Sequence, residues 1–117
     1  MKRILVVDDE ENIRELYRDE LTELGYDVLV AADGSDALRV LKECDGNVNL
    51  IMLDIKMPGM NGLEILGRIK ELYKDMPVIL LSAYDTYKQD FSSWAAEDYI
   101  VKSSDLKELK TKIEKYS

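Results

Sequence analysis

The sequence contains no histidine, a single cysteine (Cys44), two prolines, one tryptophan and one phenylalanine in 117 residues. Without histidine there is no imidazole to act as a general base or to bind zinc, and a lone thiol can form neither an internal disulfide nor a cysteine-based metal centre. Any bound metal must be held by oxygen. Cationic side chains are also scarce, with 16 Lys and Arg against 24 Asp and Glu for a formal net charge of -8, which argues against direct nucleic-acid binding. Long apolar runs are missing as well. Met1-Lys2-Arg3 is followed by only a few apolar residues before Asp8-Asp9-Glu10, so neither a secretory leader nor membrane insertion is expected, and the cytoplasm is the expected location.

What is present suits one globular domain over residues 1–117, since 117 residues are enough for one core and too few for two of ordinary size, and 46% apolar with 34% charged residues is a globular composition. No linker, repeat or low-complexity segment divides it. Short runs rich in Val, Ile and Leu recur at Ile4 to Val7, Val28 to Ala31, Leu50 to Leu53 and Val78 to Leu81, with a weaker fifth at Tyr99 to Val101. Each reads as a buried strand. Between them, Ile13, Leu16, Tyr17, Leu21 and Leu24 fall on one face at helical spacing, as do Leu63, Leu66, Ile69 and Leu72; Ala37 to Leu41 and Leu106, Leu109 and Ile113 repeat the pattern. Gly25 stands where a helix-ending glycine is expected, Ser104 with Asp105 offers an N-cap, and Tyr84 to Trp94 reads as a further helix. Five alternations of strand and helix imply a parallel sheet covered on both faces. The fold class is therefore α/β, a flavodoxin-like doubly wound five-stranded parallel sheet of order 2-1-3-4-5 with five helices, with Asp27 to Ala31 as an edge strand.

In such sheets chemistry gathers beyond the carboxyl ends of the strands, near the point where strand order reverses. The first strand runs into Asp8 and Asp9, the third into Asp54, the fourth into Ser82 and the fifth into Lys102. Taken singly, each has an ordinary explanation as a helix cap, a strand terminus or a solvated charge. Together they set carboxylates from two adjacent strands against a hydroxyl and an ammonium across one crevice. Two carboxylates about 4 Å apart repel by roughly 4 kcal/mol at an effective dielectric of about 20, so a group of three calls for a cation or a proton. With oxygen ligands alone, Mg²⁺ is the expected ion, leaving a place for a phosphate oxygen.

The segments VVDDE, LDIKMPGMNG, LLSA and DYIVK, in this order and spacing, resemble the receiver domain of two-component response regulators over essentially the whole chain. The resemblance implies that Asp54 is the phosphoacceptor, that Asp8 and Asp9 hold Mg²⁺ together with the Asp54 carboxylate, and that the backbone carbonyl of Lys56 completes the protein ligands. It also implies that Ser82 hydrogen-bonds the phosphoryl group, that Lys102 pairs with it, and that Tyr99 is an aromatic switch residue. An aromatic on a partly exposed strand is the plainer reading of Tyr99. Pro58, Gly59 and Gly62 would shape the loop that presents Lys56, and the small Ala83 would leave room at the phosphoryl site. The implied partners are a sensor histidine kinase or histidine phosphotransfer protein, and a downstream effector that docks on the face made by the fourth helix, fifth strand and fifth helix. Tyr84, Tyr87, Phe91 and Trp94 are candidates for that contact.

One position departs from the family pattern, which usually has proline after the lysine. Here Lys102 is followed by Ser103, and because a non-proline cis bond costs about 2.5 to 4 kcal/mol, a trans bond is expected. Three other readings compete. A phosphatase of the haloacid-dehalogenase type would need a second aspartate two positions after Asp54, where Lys56 stands. A flavin module would set its phosphate against Asp8-Asp9-Glu10-Glu11, which would repel it. The same receiver could also be a module of a hybrid kinase or transcription regulator; a chain of this length would have to signal by docking.

Overall fold

The computed structural model describes residues 2–54, 61–82, 96–101 and 106–116, with the backbone alone at 61–63. In chain order it runs β1 (Arg3–Val7), α1 (Glu11–Glu23), β2 (Asp27–Ala31), α2 (Gly34–Glu43), β3 (Leu50–Asp54), α3 (Asn61–Leu72), β4 (Val78–Ser82), β5 (Asp98–Val101) and α4 (Lys107–Tyr116). The strands form one sheet of order β2-β1-β3-β4-β5, parallel at every junction. This is the order expected from the alternation of elements. Four helices lie among the described residues. The helix expected over Tyr84 to Trp94 and the Ser104-Asp105 cap fall outside them, and the helix expected around Leu106 to Ile113 is α4.

Continuous apolar runs make strands here because the sheet is covered on both faces, so both sets of alternating side chains need apolar partners. One layer combines Leu5, Val7, Ile51, Leu53, Val78, Leu80 and Tyr99 from the sheet with Ala37 and Leu41 of α2 and Leu66 and Ile69 of α3. The opposite layer sets Ile4, Val6, Leu50, Met52, Ile79, Leu81 and Ile100 against Tyr17 and Leu21 of α1 and Leu109 and Ile113 of α4. β2 is the half-buried edge; its register pairs Arg3 with Asp27 and Val7 with Ala31, and a 2.7 Å ion pair joins Arg3 Nε to Asp27 Oδ2.

α1 stops at Gly25, as the sequence predicts. Gly25 has φ +95°, its N–H donates to the Thr22 carbonyl at 3.0 Å, and the Tyr26 N–H donates to the Leu21 carbonyl at 3.1 Å. These paired bonds satisfy carbonyls that the helix leaves open, with glycine in the left-handed conformation that a Cβ disfavours. At the other end of the sheet this short return leads straight into β2, and the carboxyl ends of the strands are left to carry polar groups.

Candidate functional site

At the carboxyl end of the sheet, Val7 of β1 lies opposite Ala31 of β2 on one side and Leu53 of β3 on the other. Asp8 continues β1 by one residue: its N–H donates to the Ala31 carbonyl at 3.1 Å, and it is only 1% exposed. Its Oδ1 accepts the Glu10 N–H at 2.9 Å, which turns the chain toward α1. Asp8 therefore serves as a turn former as well as a carboxylate of the crevice. Glu10 is the N-cap of α1 and makes no side-chain cap hydrogen bond, while its carbonyl accepts from the amides of Ile13 and Arg14.

Asp54 is the last residue of β3 and is half-exposed. Because Leu53 pairs with Val7, the register sets Asp54 beside Asp8. Alternation along the strands aims both toward the layer of Val6 and Met52, so the two carboxylates share a face. Ser82 closes β4 fully buried, opposite Val101 of β5. Alternation puts Ser82 on the other face, the face of Leu80, with which Tyr99 is paired. Tyr99 is itself fully buried, although Asp98 and Val101 at the two ends of β5 are only half-buried. Lys102 follows Val101 directly, and it lies outside the described residues together with Lys56, Pro58, Gly59, Ala83, the Lys102-Ser103 bond and Tyr84, Tyr87, Phe91 and Trp94.

One grouping extends the sequence reading. Carboxylate oxygens of Asp8, Asp9 and Glu10 lie within 4.8 Å of one another, Asp8 buried and the other two exposed. Glu10 stood inside the VVDDE segment without an assigned role, and only its place at the start of α1 shows that it turns back to the same point. Arg14, one turn into α1, was also unassigned; its Nη1 donates to the Asp8 carbonyl at 2.8 Å. The neighbouring β2 to α2 junction is braced in a similar way. The hydrogen bond from Arg39 and the Ala32 amide hold the Asp36 carboxyl below its ordinary pKa, and the Asp33 carboxylate caps α2 through the Asp36 N–H at 2.8 Å.

The donor set fits a hard divalent cation. Every candidate side-chain donor is a carboxylate oxygen, the group is crowded enough to repel itself, and Mg²⁺ prefers few carboxylates and retained water.

The doubly wound sheet carries its carboxylate cluster at the carboxyl end of β1, next to the point where strand order reverses. The chain belongs to the response regulator receiver domain family, whose profile matches residues 4–114. Response regulator ArlR of Staphylococcus aureus is 38% identical over 114 residues, covering 97% of this chain and 51% of that protein. A probable transcriptional regulator, ycf27 of Porphyridium aerugineum, is 37% identical over 114 residues, covering 96% of this chain and 46% of the relative. The chain thus spans about half the length of these curated relatives. Among solved structures, response regulator TrrA of Thermotoga maritima in complex with Mg²⁺-BeF is 53% identical, with a TM-score of 0.88 and 100% of both chains covered. TrrA bound to the histidine kinase ThkA matches with a TM-score of 0.85 at 53% identity, covering 99% of this chain and 98% of that one.

Proposed function

We propose that residues 1–117 form one receiver domain that takes a phosphoryl group from a phosphohistidine donor onto Asp54 and thereby changes its choice of partner. The observation that carries this reading is the register that sets half-exposed Asp54 beside buried Asp8, with buried Ser82 ending the next strand. A carboxylate at the end of a rigid buried strand is pre-oriented for in-line attack, which removes much of the entropic cost of the encounter. As the Asp54 oxygen bonds to phosphorus, the bond from phosphorus to the donor imidazole nitrogen breaks. The electron pair leaves with the imidazole, and the product on this chain is an acyl phosphate.

Asp8 and Asp9, with the Lys56 carbonyl, would hold Mg²⁺ next to Asp54; when bound, the ion supplies positive charge against the oxygens of the transferring group. Lys102, next in the sequence after Val101, would pair with those oxygens, and the Ser82 hydroxyl would donate to one of them. Drawing Ser82 toward the phosphoryl group changes the packing around Tyr99 on the same face of the sheet, and so biases the face built from β5 and the helices beside it. The domain is a signalling module that promotes its own phosphorylation and dephosphorylation, and it does not turn over an external substrate. The partner class is a sensor histidine kinase or histidine phosphotransfer protein, supported by the TrrA complex with ThkA, and a downstream effector on the switching face. The cytoplasm is the proposed setting.

Incubation with a small acyl phosphate and Mg²⁺ should add one phosphoryl group by intact-protein mass spectrometry. Asp54→Asn should abolish the addition. Equal labelling of the variant would refute the assignment.

A further inference from the structure

We propose that Arg14 is a positioning residue of the metal site: it holds the Asp8 to Glu10 turn in the shape that gathers three carboxylates. This rests on the metal-site reading above. The turn between β1 and α1 places three consecutive acids where their oxygens come within 4.8 Å, an arrangement that opposes itself electrostatically. The usual closure of such a turn, a cap residue's side chain bonding back to the first helical amides, is not made, because Glu10 forms no side-chain cap hydrogen bond.

Other bonds hold the turn. The Asp8 N–H reaches the Ala31 carbonyl at 3.1 Å and the Asp8 Oδ1 takes the Glu10 amide at 2.9 Å. The Asp8 carbonyl is gripped at 2.8 Å by Arg14 Nη1. Arg14 is itself anchored to the turn, since its N–H donates to the Glu10 carbonyl at 3.0 Å. Backbone and side chain of one residue thus tie both ends of the acidic turn to the first coil of α1. The guanidinium contact is charge-assisted, and it turns the Asp8 carbonyl toward α1 while the carboxylate closes on Glu10. Second contacts of this kind orient metal ligands, and their loss characteristically weakens the metal rather than the fold.

Two physical roles for Arg14 predict opposite results. If it acted only through its charge, a neutral replacement would tighten cation binding, because one repelling cation is removed. If it positions the turn, the same replacement loosens binding. Mg²⁺ titration by calorimetry on the parent, Arg14→Met, Arg14→Lys and Asp9→Ala, with melting curves in chelator, separates them. The positioning role predicts a dissociation constant raised roughly tenfold or more in Arg14→Met. Arg14→Lys, which keeps a cationic donor near the carbonyl, should recover most of the loss, and the metal-free melting temperature should stay near that of the parent. Unchanged or tighter binding in Arg14→Met, with binding lost in Asp9→Ala, overturns the inference alone, as does a loss of affinity matched by a fall in metal-free stability. Parental binding in Asp9→Ala overturns the metal-site reading itself.

Discussion

Asp98 shows how one residue can be both half-buried and ionised. It opens β5 with its side chain 16% exposed, and its Oδ1 accepts from the Tyr99 N–H at 2.8 Å and from Lys112 Nζ at 2.7 Å, while Oδ2 accepts from the Tyr116 hydroxyl at 3.1 Å. Burial is the largest single influence and pushes its pKa up, but the Lys112 ammonium, the Tyr99 amide and the Tyr116 hydroxyl together outweigh it and leave the pKa below the ordinary 3.8. A carboxyl depressed on folding stabilises the protein above its unfolded pKa and loses that contribution as pH falls through the lower, folded value. The stability gap between the parent and Asp98→Asn should therefore be full at neutral pH and narrow only as pH drops below about 4. Urea denaturation at stepped pH checks this, and a gap that persists unchanged well below that range would contradict it. From sequence Asp8 is either a metal ligand or a solvated or helix-capping acid; in the structure one of its oxygens closes the turn by accepting the Glu10 N–H, and no spacing rule can tell which oxygen faces where.

At the scale of elements, the helix ends carry the clearest lesson. α1 ends on Gly25, whose positive φ leaves nothing within 4 Å of a built Cβ, so a substitution there meets backbone strain and no clash. Gly25→Ala should cost about 1 to 2 kcal/mol, seen as a lower urea midpoint with an unchanged slope. α2 ends in the same pattern of bonds, from the Asp45 N–H to the Lys42 carbonyl and from the Gly46 N–H to the Leu41 carbonyl, but with Asp45 at φ +54° in the place that Gly25 fills in α1. Aspartate is among the few residues that tolerate that region, so sequence inspection missed the cap. Gly46 follows with φ +70°, and there a Cβ would come within 2.6 Å of the Tyr73 ring. The strands were legible almost to the residue. β3 and β4 extend one position past their apolar runs, so Asp54 and Ser82 are strand residues rather than the first residues of loops. Of the two, Asp54 is half-exposed and Ser82 is fully buried.

For the molecule as a whole, three of the 24 acidic side chains gather where the function is proposed. A chain with net charge -8 that gathers Asp8, Asp9 and Glu10 at one end of its sheet gains from any cation that binds the folded state and not the unfolded one. Mg²⁺ at about a hundred times its dissociation constant should add about 2.7 kcal/mol to the folding stability, with the gain absent in Asp9→Ala. A melting temperature insensitive to Mg²⁺ would count against the site. The sequence alone determined the layers and the strand order, because apolar runs of strand length alternating with helical stripes have few ways to bury themselves, and right-handed crossovers remove most of those. It also marked Asp8, Asp9, Asp54 and Ser82, since strand ends follow directly from strand positions. Only the tertiary structure decided that Arg14 grips the Asp8 carbonyl, that Glu10 joins the acidic group, that Tyr99 is fully buried, and that Gly34 lies where a Cβ would collide with the Ile65 side chain. These depend on the direction of particular bonds and on the approach of residues distant in the chain, and periodicity specifies which face a side chain takes but not which atom it meets.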